Sequence, residues 1–337
     1  MKRLVLFLGH RLLFLLPQLV GILLISFVLV KAIPGDPAVL MLGPTASDQT
    51  VSELRGKLGL DKPLPVQFLY FLDNLRKGDL GTSWQTTRPV AQDLMERFPA
   101  TLELVTFSLM LAIAIGLPLG VAAATNHRSW FGRLADLYGL AAGAMPDFWL
   151  GLVLIFVFYT IFQVVPAPLG RLDMMIIPPA PVTGFMTVDT LIAGDLGAFA
   201  SAAAHLFLPV LTLGLVSAGP ILKMAFSSTQ RMLAEDFTSY AIICGLPRSL
   251  ITRRALRNAL PSIVTIISVL YGYLLGGAVL VEIVFSWGGA GQYAVQGVLN
   301  SDIYPVLGFV LFSAVFSLII YLIVDLVDFV IDPRVGR

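Results

Sequence analysis

Charge is scarce in this chain. Asp, Glu, Lys and Arg make up only 13% of its 337 residues, about half the share usual in soluble domains. Hydrophobic residues make up 57%. A soluble fold cannot cover that much apolar surface, so the chain reads as an integral membrane protein. A net charge of +1, with no basic face of useful size outside the loops read below as cytoplasmic, gives no sign of a nucleic acid partner. The single cysteine, Cys244, excludes an internal disulfide, and without a neighbouring His or metal-ligand partner it reads as a small filler. The three histidines, His10, His127 and His205, are scattered, and none has zinc-type spacing. A phosphate-binding loop is also missing: Gly56-Lys57 is followed by Leu58 and lacks the preceding glycine. Gly-x-Ser-x-Gly, His-Glu-x-x-His and Cys-x-x-Cys patterns are absent. The chain therefore reads as no enzyme and not itself an ATPase. What remains is movement across a membrane.

Long apolar runs are plentiful. Each of six, at 12–30, 102–124, 137–164, 206–227, 262–287 and 304–331, is long enough to span a bilayer as a helix. The class is an all-α integral membrane protein with six transmembrane helices. The first run exceeds a signal-peptide core and lacks a small-x-small cleavage site, so it reads as a retained helix. Basic residues orient the bundle. Lys2, Arg3 and Arg11, the link at 125–136, the region 223–261 and the tail after Ile331 carry them on one side. The short opposite loops, 165–205 and 288–302, carry only Arg171. Positive charge favours the cytoplasm, so both termini and the 223–261 region are expected inside.

Between the first two runs, residues 34–99 are soluble in character. Pro34-Gly35-Asp36-Pro37 is a turn cluster. Residues 52–58 predict a short helix, and 66–77 an amphipathic one whose stripe is Phe68, Leu69, Leu72 and Leu75, packed against the bundle or lying on the membrane. Asp79, Trp84 and Arg88 fit either contact with an external protein or self-packing of this segment. The organisation expected is an N-terminal helix plus outer segment at 1–97, a membrane core at 98–332 and a short tail at 333–337.

The stretch at 235–261 stands apart. It is polar and Arg-bearing between two apolar runs, so it stands in water beside the membrane. Asp236, Phe237, Ser239, Tyr240 and Ala241 predict a short helix that ends at Gly245, because glycine takes the left-handed cap without strain. Pro247 reinforces the break. A second helix restarts with Arg248, Arg253, Arg254 and Arg257 and runs toward Pro261. A helix, a turn and a basic helix make a projecting hairpin suited to docking on another protein; an ordinary basic loop is the plainer reading.

Four acids lie in or beside the apolar runs: Asp147, Glu282, Asp325 and Asp328. Asp147 and Glu282 are candidate residues of a substrate pathway. All four would serve a proton-coupled secondary carrier, and structural pairing is the other explanation. No internal repeat of the carrier type is visible between the two halves.

The same 235–261 stretch resembles the cytoplasmic Glu-Ala-Ala loop of importer-type ABC permeases, in their dipeptide/oligopeptide/nickel group. Ser239, Tyr240 and Ala241 occupy the triplet, with Gly245 four residues beyond and Asn258-Ala259-Leu260-Pro261 closing the motif. Further stretches look like the same group: IPGDP at 33–37, LGLDKPLPVQF at 58–68, GDLGTSWQTTRPV at 78–90, RFPATLEL at 97–104, MPDFWLGL at 145–152, LVEIVFSWGGAGQ at 280–292 and DPR at 332–334. Gly288-Gly289 departs from the group's Pro-Gly. The resemblance implies a type I ABC importer permease fold with an extracytoplasmic cap between helices 1 and 2, in a bacterial or archaeal cytoplasmic membrane. It implies partners: a homologous second permease, two ABC ATPase subunits that hold ATP and Mg, an extracytoplasmic substrate-binding protein, and membrane lipid. No cofactor is implied on this chain. ATPase docking would fall on Asp236, Phe237, Ser239, Tyr240, Ala241, Gly245, Leu246 and Pro247, within the loop 229–261. The implied cargo is di- or oligopeptide, with glutathione, nickel chelates and oligosaccharides also carried in the group.

Overall fold

A computed structural model describes residues 13, 17–28, 37–42, 47–57, 59, 61–126 and 129–331. The basic N-terminal residues, the turn at 34–36, Arg128 and the segment 332–334 lie outside them. The described residues form helices and turns, with one isolated antiparallel bridge, Thr82 to Pro89, and no strand. They divide into two compact units, residues 1–96 with 293–315 and residues 97–292 with 316–337.

The first unit holds α1 (Pro17–Val28), α2 (Pro37–Leu42), α3 (Asp48–Lys57) and α4 (Leu64–Arg76). It also holds the first turns of α5 (Val90–Thr125), most of α12 (Ala290–Leu299) and the start of α13 (Ile303–Ile331). The amphipathic stripe of α4 packs on α1: the rings of Phe68 and Phe71 lie 5.2 and 6.0 Å from that of Phe27. Phe71 joins the stripe, whereas Leu69 faces outward. Two buried carboxylates order the segment between α4 and α5. Asp93 accepts from Thr86 Oγ1 (2.6 Å) and the Tyr293 hydroxyl (2.9 Å), with Arg88 at 3.2 Å. Asp302 accepts from Ser83 Oγ (2.6 Å) and the Gln85 amide (3.3 Å). Arg88 also binds Glu96 through both terminal nitrogens, and Asp79 caps the Gly81 amide at 2.8 Å. Self-packing thus engages Asp79 and Arg88, while Trp84 stays exposed.

The second unit is built on α9 (Leu196–Leu233), which packs against α11 (Arg248–Val284), α6 (Trp130–Ala144), α7 (Asp147–Leu154) and α8 (Met186–Ile192). Asp195 starts α9 by accepting the Ala198 amide at 2.9 Å, a side-chain cap that begins the helix well before the expected residue 206. The expected outer loop 165–205 accordingly contains α8 and the first turns of α9, and 288–302 contains α12.

Two expectations need correction. The predicted single helix at 137–164 is two: α6 stops at Ala144 and α7 starts at Asp147, bent by 105°. Met145 is extended (φ −92°, ψ 125°) because the residue before a proline, here Pro146, is driven out of the helical region. The chain then runs on from α7 as a π-helical turn, Ile155–Ile161. The second correction concerns Pro261, expected to separate a basic helix from an apolar one. Instead α11 is one uninterrupted helix of 37 residues. Ile251, Ala255, Ala259 and Ile263 are all buried, and their spacing of four places them in one stripe that carries the same packed face through the polar stretch. Among the described residues four helices are long and apolar enough to cross a membrane: Val90–Thr125, Leu196–Leu233, Arg248–Val284 and Ile303–Leu326, with the bent α6–α7 pair as a fifth candidate span. Among the described residues α1 is shorter than a span.

Candidate functional site

Between α9 and α11 lies α10 (Asp236–Ile243). Its eight residues are too few to hold a helix on their own, so its ends decide whether it exists. At the start, the Thr238 hydroxyl donates to Met232 O at 2.8 Å and ties the first turn to the end of α9. Asp236 stands in that first turn, where a negative charge complements the helix dipole. At the end, the Gly245 amide donates to Ile242 O (2.9 Å) and the Leu246 amide to Ala241 O (3.1 Å). With Gly245 at φ +73°, this pair of bonds is a Schellman cap. Pro247 then stands as N-cap of α11.

Thr238 and Ala241 are buried, so they form the seat of α10 rather than its contact face. Asp236, Phe237, Ser239, Tyr240, Gly245 and Pro247 are exposed, and Leu246 is half-buried. Tyr240 is 70% exposed and Ile243 83%, with Ile242 and Phe237 also turned out. Four large apolar side chains left uncovered on so short a helix make an exposed apolar patch, a feature that marks interaction sites in general. Sequence reasoning missed Ile242 and Ile243. The available signal was the pair of adjacent β-branched residues, Ile242-Ile243, shortly before the glycine cap. Arg248, Arg253, Arg254 and Arg257 are exposed on the first turns of α11 and form no ion pair among the described residues.

The acids in the spans have different surroundings. Asp147 is the first residue of α7, half-buried, with no hydrogen bond among the described residues. Its Oδ2 would lie 3.7 Å from a Cβ placed on Gly277 of α11. Glu282 is completely buried; it accepts from Thr101 Oγ1 (2.5 Å) and the Gln292 amide (2.8 Å). No hydrogen bond or ion pair joins Asp147 to Glu282. Asp325 lies on α13, and the side chain of Asp328 is outside the described residues. Nothing in this arrangement favours a proton relay.

A second polar group surrounds α8. Glu103 of α5, also completely buried, accepts from the amides of Met186 (3.1 Å) and Thr187 (2.8 Å) and from the Thr187 hydroxyl (2.6 Å). Arg171 stands 3.6 Å from Glu103 and donates to Gly184 O at 3.1 Å. Burial lowers the pKa of Arg171, and Glu103 opposes that shift. Asp189 accepts from Thr183 N and Oγ1 (both 2.7 Å) and Gly184 N (2.9 Å). Burial pushes this carboxyl up, but the three hydrogen bonds outweigh it and hold the pKa below its ordinary value. A depressed native pKa contributes stability above the unfolded value of about 3.9 and loses it as pH falls through the lower native value. Protection of the 183–192 amides, corrected for intrinsic exchange, is therefore expected to hold from neutral pH down to about 4 and fall below it. Asp189→Asn should lower protection at neutral pH and remove that acid step.

Residues 116–337 match the family described as "Binding-protein-dependent transport system inner membrane component". Residues 4–105 match "Binding-prot-dependent transport system membrane comp, N-term". The chain is 42% identical over 318 residues to the probable D,D-dipeptide transport system permease protein DdpB of Escherichia coli (strain K12), covering 94% of this chain and 93% of that one. It is 39% identical to the dipeptide transport system permease protein DppB of the same organism, over 98% of both chains. The glutathione transport system permease protein GsiC of Salmonella typhimurium is 34% identical, over 96% of this chain and 97% of its own.

Proposed function

The chain belongs to the family of binding-protein-dependent transport system inner membrane components, and we propose that it is the permease subunit of an ATP-driven importer of di- or oligopeptides. It is a multi-pass inner-membrane protein, and it moves cargo rather than transforming it. The observation that carries the ATP-driven part is α10: a capped helix with Phe237, Tyr240, Ile242 and Ile243 uncovered, held between two long spans. A helix of this kind fits a groove in a partner that changes shape, and α9 and α11 carry its displacement into the bundle.

In this proposal two ATPase subunits hold ATP and Mg, and one of them receives α10 through Asp236, Phe237, Ser239, Tyr240, Gly245 and Pro247. Ala241 supports the helix from beneath and Leu246 fills its edge. A homologous second permease completes the translocation path, and an external binding protein delivers cargo on the side of residues 34–99, which form the cap. Six spans with both termini in the cytoplasm complete the topology. Asp147 is proposed to line the path, since a half-buried acid beside Gly277, without a hydrogen-bond partner among the described residues, is open to a cargo amine. Glu282 serves the path indirectly, through the turn that it holds.

The test is reconstitution. The chain purified alone should hydrolyse no ATP. Co-expressed with its ATPase subunits and second permease in proteoliposomes, it should take up labelled di- and tripeptides when ATP and the binding protein are supplied. Uptake driven by a proton gradient without any ATPase subunit would reject this reading in favour of a carrier.

A further inference from the structure

A single helix joins the docking hairpin to a buried polar junction. α11 starts one residue after Pro247 and ends two residues after Glu282. Its 37 residues make a rod of about 55 Å at 1.5 Å per residue, well beyond the roughly 30 Å of a bilayer core. Pro261 deletes one backbone donor within it, yet the helix is continuous.

At the far end the polar contacts converge on one turn of α5. Thr101 Oγ1 donates to Glu282 and accepts from the Ala290 amide at 2.9 Å. The Trp287 indole donates to Ala100 O at 2.9 Å. The second Glu282 oxygen accepts from Gln292. Gly289 and Gly291 lie so close to this carboxylate that a Cβ on either would press into it. Two residues on, Glu103 grips the amides that begin α8. One turn of α5 therefore holds both the turn that follows α11 and the turn that precedes α8.

We propose that the Thr101–Glu282 junction is a positioning element for transport, which ties the outer end of α11 to α5 so that displacement of α10 is delivered to the turns at 285–292 and 183–187. A buried carboxylate is a poor source of stability compared with apolar packing of the same shape. What it supplies here is geometry, because its hydrogen bonds hold in one arrangement of α5 and α11 and are lost in others. Thr101 is the node, since its hydroxyl is used both as donor and as acceptor.

This inference rests on the ATP-driven reading, so the experiment uses the full complex in proteoliposomes and scores the wild type first. Absence of ATP-driven uptake there would reject that reading, whatever the variants do. With the wild type active, Thr101→Val is expected to assemble and hydrolyse ATP while peptide uptake per ATP falls about ten-fold, the scale of one hydrogen bond. Thr101→Ser keeps the hydroxyl and should restore the ratio. A structural role alone would lower the amount of complex and leave the ratio unchanged, and that result overturns the proposal. If Thr101→Val does not assemble, Trp287→Phe decides: it keeps one aromatic ring and removes the indole donor to Ala100 along with the second ring. A reduced ratio then supports the junction, and an unchanged ratio overturns it.

Discussion

Replacing Gly245 by valine is expected to lower ATP-driven uptake about 30-fold while leaving the membrane spans folded. Gly245 has φ +73°, and no heavy atom lies within 4 Å of a Cβ placed there. The penalty is therefore conformational and not a clash. The left-handed region costs an ordinary L-residue about 1–2 kcal/mol, and a β-branched residue more, since there it is a true outlier. That strain falls on the two capping bonds from Gly245 and Leu246 that end α10. An eight-residue helix without its cap does not persist, and Tyr240, Ile242 and Ile243 lose their common face. A loss of about 2 kcal/mol in the docked geometry is about 30-fold in the docked fraction. Asparagine tolerates the left-handed region, so Gly245→Asn should retain most of the activity. Co-purification of the ATPase subunits and peptide uptake would be measured for both variants. Normal values for Gly245→Val would mean that α10 is not the docking element.

Gly120→Val should prevent recovery of folded protein altogether. A Cβ on Gly120 would lie 2.5 Å from the backbone oxygen of Leu222 and 2.7 Å from the Cβ of Ala225; one on Gly116 would lie 2.6 Å from Ala218 O. These contacts join α5 to α9, the helix at the centre of the second unit. Backbone oxygens cannot step aside as a flexible side-chain tip can, so the two helices must separate. In a membrane, helix association depends on such close packing, because lipid is as apolar as the side chains it would replace. Overpacking typically costs about 1–3 kcal/mol, so even Gly120→Ala is expected to lower the melting temperature of the detergent-solubilised protein clearly. Gly276→Ala is the matched control: it lies in a helix with nothing within 4 Å of a Cβ, and it should be neutral or slightly stabilising. Equal melting temperatures for Gly120→Ala and Gly276→Ala would contradict the close α5–α9 approach.

Both variants target glycines, yet only one of the two was legible from sequence. Gly245 could be read because its role is local: a polar stretch, a short helical segment, a glycine and then Pro247 specify a cap within a few residues. In the sequence Gly120 is one glycine in a span, and its neighbour Leu222 lies far along the chain. The broken third helix shows the same boundary. A proline at 146 disfavours helix at the residue before it, but whether the chain kinks slightly or turns through 105° depends on what α7 packs against. Pro261 misled in the opposite sense, since a buried stripe from Ile251 to Ile263 overrode a proline that ends many helices.

The amino-acid sequence alone is enough to read an all-α membrane protein, a capped hairpin between two spans, and acids embedded near them. Each of those follows from composition, period or turn chemistry, which act over a few residues. The tertiary structure decided which side chains of α10 face outward and that α11 is one rod. It also decided that Glu282 meets Thr101, 181 positions away. Hydrogen bonds and packing at that separation depend on how helices are brought together, and no local pattern encodes the partner of a buried carboxylate.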